Sequence, residues 1–247
     1  MQIKPVKTAV IGCGMISDAY FGTMKKKFKI LDVVACCDLD PQKAQAAAAK
    51  YGLQVMTVEE ILADKSIEIV VNLTTPTAHY PVIKQLLAAG KHVYTEKVLA
   101  VELAHAAELV EMANAKGLYL GAAPDTFLGA AAQTARYVVE SGMIGEVTSC
   151  YAVLNRDGGV FANPNSFTVK PGGGIGFDVG IYYLTVLLSI LGPVSEVSGV
   201  SKTLRAKRSL RTLEQYNDEF TINCENLMAA TVQFANGPLG NMLFDGN

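Results

Sequence analysis

Histidine is scarce in this chain, and neither histidine nor cysteine occurs in a pattern that binds metal. The three histidines, His79, His92 and His105, lack the HExxH spacing of a zinc protease. The five cysteines are odd in number and contain no CxxC pair, which argues against a zinc site and against the disulfide framework of a small secreted protein. We therefore expect no metal site, and we expect a reducing, cytoplasmic setting.

Charge of either sign and long apolar runs are also limited. The 247 residues carry 21 basic and 23 acidic side chains, a formal net charge of −2, so nucleic acid and anionic membranes are not expected partners. The longest apolar stretch, Val179–Leu191, is too short to span a bilayer. Half of the residues are hydrophobic, which indicates a globular protein with a sizeable core, in one large or two ordinary domains.

The N-terminal sequence has the pattern of a nucleotide-binding unit. A β-type run, Thr8–Ile11, leads into the glycine-rich segment Gly12–Ser17, and residues 18–29 read as a helix. The next strand, residues 31–37, ends at Asp38. This order of strand, glycine-rich turn, helix, strand and acid is typical of dinucleotide binding.

Each residue of the pattern has a chemical role in that interpretation. Gly12 permits the tight turn, Gly14 lets the backbone approach a pyrophosphate, and the helix N-terminus supplies amide donors, with Met15 and Ile16 in the same turn. Asp38 can accept hydrogen bonds from both ribose hydroxyls, and its carboxylate would repel the 2′-phosphate of NADP. We therefore predict a cofactor-binding turn with NAD preferred over NADP.

Two plainer interpretations compete with this one. Ser17 stands where the third glycine of the fingerprint is expected, and a GxGxxS segment alone is consistent with an ordinary turn. Asp38 could merely cap the next helix, although Asp40 and Pro41 already provide a cap and a first helical residue.

Strands and helices continue to alternate as far as residue 121. The pattern predicts a doubly wound parallel sheet, so 1–121 is expected to be a dinucleotide-binding Rossmann domain with ligands at the carboxyl ends of the strands. Thr74, Glu96 and Lys97 fall at that edge. Further strands are predicted at 68–72, 91–95 and 118–120, and helices at 41–51, 78–89 and 101–116.

In residues 122–247 strands and helices no longer alternate regularly. The pattern predicts an α+β domain with an open, mainly antiparallel sheet, and we expect this domain to bind substrate and to mediate oligomerisation. A helix is predicted to begin with Pro124–Thr126 and to run to about Ser141. A polar loop over 155–170 follows, and then a glycine-rich entry to the apolar helix that contains Asp178 and Tyr182. These two residues are four apart and would share a helix face, although singly they read as a helix cap and a core aromatic. Strands are predicted at 146–154, 194–203, 218–225, 228–234 and 239–244.

Three segments, VIGCGMISDAY, NLTTPTAHYPVIKQLLAAGKHVYTEKVLA and KPGGGIGFDVGIYYL, together resemble the Gfo/Idh/MocA family of nicotinamide-dependent oxidoreductases. The resemblance implies a Rossmann domain joined to an open sheet, NAD(P), and hydride transfer on sugars, polyols or related carbonyls. It also implies catalytic roles for Lys97, Asp178 and Tyr182, and cofactor contacts for Thr74 and His79.

The chain departs from the family pattern in two places. The family's EKP motif reads EKV, with Val98 in the place of a proline that is often cis, and this leaves the local conformation open. Relatives also usually continue further at the C-terminus, so we expect an incomplete C-terminal sheet. A homodimer or homotetramer is expected.

For the chemistry, we expect Tyr182 to accept the substrate proton, with Lys97 as its electrostatic partner and Asp178 orienting Lys97 or a substrate hydroxyl. Proton transfer to Lys97 itself is the main alternative. Glu96 is expected to hold the loop or to contact the nicotinamide end. An NAD-dependent glycosidase with no net redox change and a non-catalytic NAD-binding sensor remain alternative functions, and the sequence names no substrate.

Overall fold

The computed structural model describes residues 4–158, 166–211, 216 and 218–247, and the chain divides into two compact units, one ending at Ala123 and the other beginning at Pro124. The middle of the polar loop predicted over 155–170 lies outside these ranges, because residues 159–165 are not described. In the described ranges, no helix is both long enough and apolar enough to cross a bilayer.

The first unit is built on a six-stranded sheet in which every pairing is parallel. The strand order is β3-β2-β1-β4-β5-β6. Strands β2 and β3 are added on one side of β1, and β4, β5 and β6 are added on the other side. This order confirms the predicted doubly wound architecture. The strands are β1 Val6–Ile11, β2 Leu31–Cys37, β3 Gln54–Val55, β4 Ile69–Asn72, β5 His92–Thr95 and β6 Leu120–Ala122.

Successive residues along each strand point to opposite faces of this sheet, and apolar side chains are buried on both faces. Five helices cover the two faces. Val10 and Val71 pack with Phe21 of α1 on one face, whereas Ala9 and Val70 pack with α4 and α5 on the other. The helices are α1 Ser17–Lys27, α2 Pro41–Tyr51, α3 Val58–Ala63, α4 Pro76–Ala88 and α5 Leu103–Ala115.

The sequence pattern missed β3 and α3. A two-residue strand is too short to show periodicity, whereas α3 does carry a recognisable start signal. Thr57 accepts a hydrogen bond from the Glu60 amide, and the Glu60 carboxylate accepts one from the Thr57 amide. This reciprocal capping box begins the helix.

The second unit contains a mixed four-stranded sheet in the order β7-β12-β11-β8. The antiparallel expectation holds for β8, β11 and β12, whereas β7 pairs with β12 in parallel. A separate two-stranded ribbon joins β9 to β10. The strands are β7 Ser149–Asn155, β8 Val194–Lys202, β9 Lys207–Ser209, β10 Glu219–Thr221, β11 Leu227–Phe234 and β12 Leu239–Asp245.

The described part of the second unit includes the α-helices α6 Ala130–Glu140 and α7 Ile181–Leu191, and a π-helical turn, Gly176–Gly180, precedes α7. Leu184 and Leu187 of α7 pack on Phe234 and other buried residues of the sheet. Gly180 is needed at the junction because a Cβ there would lie 2.6 Å from the Phe244 ring. The glycine therefore lets the helix backbone lie directly against the Phe244 ring, a side chain of β12.

Replacing Gly180 by alanine should destabilise the second unit by about 1–3 kcal/mol, the range for overpacking a close contact. The φ of Gly180 is −58°, so the cost is steric rather than conformational. Denaturant unfolding of the full chain measures it, and an unchanged unfolding midpoint would contradict the close contact.

Gly22→Ala is the matched control. Gly22 lies inside α1, and a Cβ there would meet no atom within 4 Å. Alanine has the higher helix propensity, so this variant should gain about 0.5–1 kcal/mol rather than lose stability.

Candidate nucleotide-binding site

The glycine-rich turn after β1 lies against the backbone that leaves β4. Gly12 has a φ of +102°, and a Cβ there would lie 2.6 Å from both the carbonyl carbon and the oxygen of Leu73. Its amide donates to the carbonyl oxygen of Cys37 at 2.8 Å. Only glycine meets both the conformational and the steric requirement, so Gly12 fixes the turn at the point where the strand order reverses.

The next residues of the turn face open space. A Cβ on Gly14 would meet no atom within 4 Å, and the side chain of Met15 is 93% exposed. Ser17, in the position of the third glycine, is buried and donates its hydroxyl to the carbonyl oxygen of Gly14 at 2.6 Å. The serine is thus accommodated without an unpaired polar group, and the backbone before α1 stays open to a phosphate.

Asp38 has a structural role that the sequence pattern did not reveal. Its Oδ2 accepts the Cys13 amide at 2.7 Å and its Oδ1 accepts the Asp40 amide at 2.8 Å, so the carboxylate ties the glycine-rich turn to the end of β2. Asp40 caps α2 through the Gln42 amide. A carboxylate has about four acceptor sites, so Asp38 keeps capacity for two ribose hydroxyls.

The loop after β4 is organised by Asn72, a fully buried residue. Its Oδ1 accepts the Thr74 hydroxyl at 2.8 Å, and its Nδ2 donates to the Thr95 hydroxyl at 3.1 Å. Thr95 is the last residue of β5 and is also fully buried. Asn72 therefore links the ends of two adjacent strands, and a polar residue ending an apolar strand was the only sequence signal for it.

Glu96 holds the loop after β5, which is one of the two roles expected for it. Its Oε1 accepts the Tyr20 hydroxyl of α1 at 2.7 Å, and its Oε2 accepts the Lys97 amide at 3.1 Å. Burial and the bond to Glu96 raise the pKa of Tyr20, so the phenol stays protonated as a donor. The Lys97–Val98 peptide bond is cis.

His79 lies on α4 and is fully buried. Its Nδ1 is 2.5 Å from the carbonyl oxygen of Val98, and its Nε2 is 3.0 Å from that of Thr74. The ring therefore bridges the loops after β4 and β5. Its contacts are with those loops, and a cofactor contact for His79 stays a prediction.

The remaining two expected catalytic residues belong to the second unit. Asp178 falls within the π-helical turn and Tyr182 within the first turn of α7, and both are partly buried. Asp178 lines a cavity of about 70 Å³ together with Arg156 and Thr168. Short π-helical segments are frequent at functional sites. In the described ranges, no group of three or more His, Cys, Asp or Glu side chains is placed to hold a metal.

The first unit is therefore a dinucleotide-binding α/β domain, because three loops meet at the carboxyl edge of a parallel sheet and one carries the glycine-rich turn. Residues 6–123 match the family described as "Oxidoreductase family, NAD-binding Rossmann fold", and residues 132–245 match the "GFO/IDH/MocA C-terminal domain". The chain belongs to the Gfo/Idh/MocA family of oxidoreductases, and this confirms the resemblance read from its three segments.

Individual relatives support the assignment to this family. An uncharacterized oxidoreductase of Schizosaccharomyces pombe is 31% identical over 217 residues, a match that covers 86% of this chain and 58% of the relative. The D-glucoside 3-dehydrogenase of Escherichia coli is 29% identical over 248 residues, which covers 96% of this chain and 69% of the enzyme. This chain thus spans less than two thirds of the yeast relative.

A solved structure shows the same fold. The WlbA dehydrogenase from Bordetella pertussis, crystallised with NADH and UDP-GlcNAcA, superposes with a TM-score of 0.84 at 21% identity. The superposition covers 99% of this chain and 68% of that one.

Alanine substitutions at the two glycines of the turn should have different effects. Gly12→Ala should destabilise the first unit by at least about 2 kcal/mol, because it combines a strained φ with a backbone clash. Gly14→Ala should leave the unfolding midpoint nearly unchanged but weaken NADH binding, because its methyl group would occupy the open space before α1.

Denaturant unfolding and NADH fluorescence titration of the two variants separate these effects. Tight NADH binding by Gly14→Ala would contradict the assignment of the turn to a pyrophosphate.

Proposed function

We propose that the protein is an oxidoreductase that transfers a hydride between NAD and a CH–OH or carbonyl group of a sugar, polyol or related small molecule. The observation that carries this proposal is the turn itself, in which Gly14 leaves open space before α1 while Asp38 retains free acceptor capacity. The D-glucoside dehydrogenase among its relatives supports the substrate class.

The residues of the first unit fit a dinucleotide. The turn from Gly12 to Ile16 would hold the pyrophosphate through backbone amides, Asp38 would hold the adenosine ribose, and Thr74 would border the nicotinamide half. NAD, when bound, supplies the hydride acceptor that makes alcohol oxidation possible. The protein's own residues bind and orient the cofactor and the substrate, and they accept the proton.

We assign to Lys97 the stabilisation of negative charge on the reacting oxygen. When the hydroxyl proton leaves the carbinol ahead of the hydride, the oxygen has alkoxide character in the transition state, and a positioned ammonium stabilises it. Glu96 and its partner Tyr20 fix the backbone at Lys97. In the second unit, we propose that Tyr182, as the phenolate, takes the hydroxyl proton and becomes the neutral phenol, and that Asp178 orients a substrate hydroxyl.

The proposed reaction is tested by supplying NAD with a panel of aldoses, inositols and keto-sugars and following NADH absorbance. We expect accumulation of NADH with at least one polyol or sugar. Cleavage of a glycoside without net absorbance change would indicate the glycosidase alternative, and NADH binding with no turnover on any substrate would indicate a sensor.

NAD should be preferred over NADP. The Asp38 carboxylate would face the 2′-phosphate of NADP, and its neighbours Cys37, Leu39 and Asp40 carry no positive charge to offset the repulsion. The ratio of the two dissociation constants, for NADH and NADPH, measures the preference. Tighter binding of NADPH would refute this role of Asp38.

Lys97→Met should lower kcat by about 10²-fold or more, on the order expected when an electrostatic or acid–base group is lost. Methionine keeps much of the side-chain length and removes the charge, and NADH affinity should change far less. The assay is steady-state turnover with the best substrate of the panel.

Lys65→Met is the control, since Lys65 is an exposed lysine of the same unit and removing its charge should leave kcat unchanged. Turnover of Lys97→Met within a few fold of the unsubstituted protein would show that Lys97 has no catalytic role.

A further inference from the structure

His79 is a buried titratable side chain that touches two loops of the nucleotide-binding edge. It lies one turn inside α4, which begins directly after the Thr74 loop. Its two ring nitrogens face two carbonyl oxygens, that of Val98 at 2.5 Å and that of Thr74 at 3.0 Å. Both carbonyls belong to backbone that borders the site, and neither belongs to α4 itself.

A neutral imidazole has one N–H and one lone pair, so it can donate to only one of two carbonyl oxygens. Burial lowers the pKa of His79, although the bonds to Val98 and Thr74 and the nearby Glu96 carboxylate act to raise it. The ring is therefore neutral at pH 7. Donation across the shorter contact would place that single proton on Nδ1, directed to Val98.

We propose that His79 is a positioning residue that fixes the Lys97 loop by donating an Nδ1–H hydrogen bond to the Val98 carbonyl. The inference rests on the proposed catalytic role of Lys97. Val98 directly follows Lys97, and Glu96, which directly precedes it, is held by the Tyr20 hydroxyl at 2.7 Å. The backbone is thus fixed on both sides of the lysine, from α4 on one side and from α1 on the other.

The charged groups near the ring come from the loop it holds. Glu96 acts to raise the pKa of His79 and Lys97 acts to lower it, so the two neighbouring charges oppose each other at the ring. Because these two effects oppose each other, the ring, whose pKa burial lowers, stays neutral and carries one proton for the bond to Val98.

Two amide variants separate the two contacts of the ring. The amide nitrogen of Asn lies near the position of Nδ1, whereas that of Gln reaches the position of Nε2. His79→Asn therefore keeps a donor for Val98, and His79→Gln keeps a donor only for Thr74. If the Val98 bond positions Lys97, His79→Asn should retain kcat within a few fold.

His79→Gln should lower kcat on the order of 10²-fold, the loss expected when a catalytic group is displaced by about 1 Å, with little change in the dissociation constant for NADH. Equal kcat values for the two variants, or a greater loss in His79→Asn, would overturn the proposal.

The ring itself gives a readout that needs neither folded variants nor turnover. In the protein labelled with ¹⁵N-histidine, long-range ¹H–¹⁵N correlation spectra distinguish the tautomers, and only His92 and His105 add further signals. We expect a neutral His79 with its proton on Nδ1. A proton on Nε2, or an imidazolium at pH 7, would overturn the proposal.

The same spectra separate this inference from the proposed function. An Nδ1–H tautomer together with an unimpaired Lys97→Met variant would reject the catalytic role of Lys97 and hence positioning for catalysis. An Nε2–H tautomer with an impaired Lys97→Met variant would reject only the role of His79.

Discussion

The close approach of the Gly12 turn to the backbone leaving β4 is the constraint on which the nucleotide site depends. Parallel strands end at the same edge of a sheet, so the loops after β1 and β4 compete for the same space. Glycine at position 12 removes the Cβ that would otherwise lie 2.6 Å from the Leu73 carbonyl. The turn can therefore lie beside the second loop and still present Gly14, Met15 and Ile16 to solvent.

Buried and partly buried polar side chains then join this edge into one connected structure. Asn72 links the ends of β4 and β5, His79 bridges the loops that follow them, and Glu96 connects the β5 loop to Tyr20 of α1. Buried polar groups are costly unless they are hydrogen-bonded, and a satisfied network specifies one arrangement. This explains why a carboxylate and an ammonium stand side by side in the YTEKVLA segment: Glu96 fixes the backbone from which Lys97 projects.

Features with local signals could be predicted from the sequence. The parallel sheet, the glycine-rich turn and most helices followed from hydrophobic periodicity, glycines and caps. The bonds of Tyr20 to Glu96, of Asn72 to Thr95 and of Asp38 to the Cys13 amide could not, because these partners lie 76, 23 and 25 residues away along the chain. The parallel pairing of β7 with β12 was missed for the same reason, since strand direction depends on tertiary contacts that periodicity does not encode.

On this structure we expect the three loops after β1, β4 and β5 to form one nucleotide-binding edge. Hydrogen–deuterium exchange with and without NADH tests it most directly, because exchange reports protection at individual backbone segments. We predict slower exchange on NADH addition in the segments around Gly14, Thr74 and Lys97, with little change in α3 and α5. Protection confined to other parts of the first unit, or no protection at saturating NADH, would contradict it.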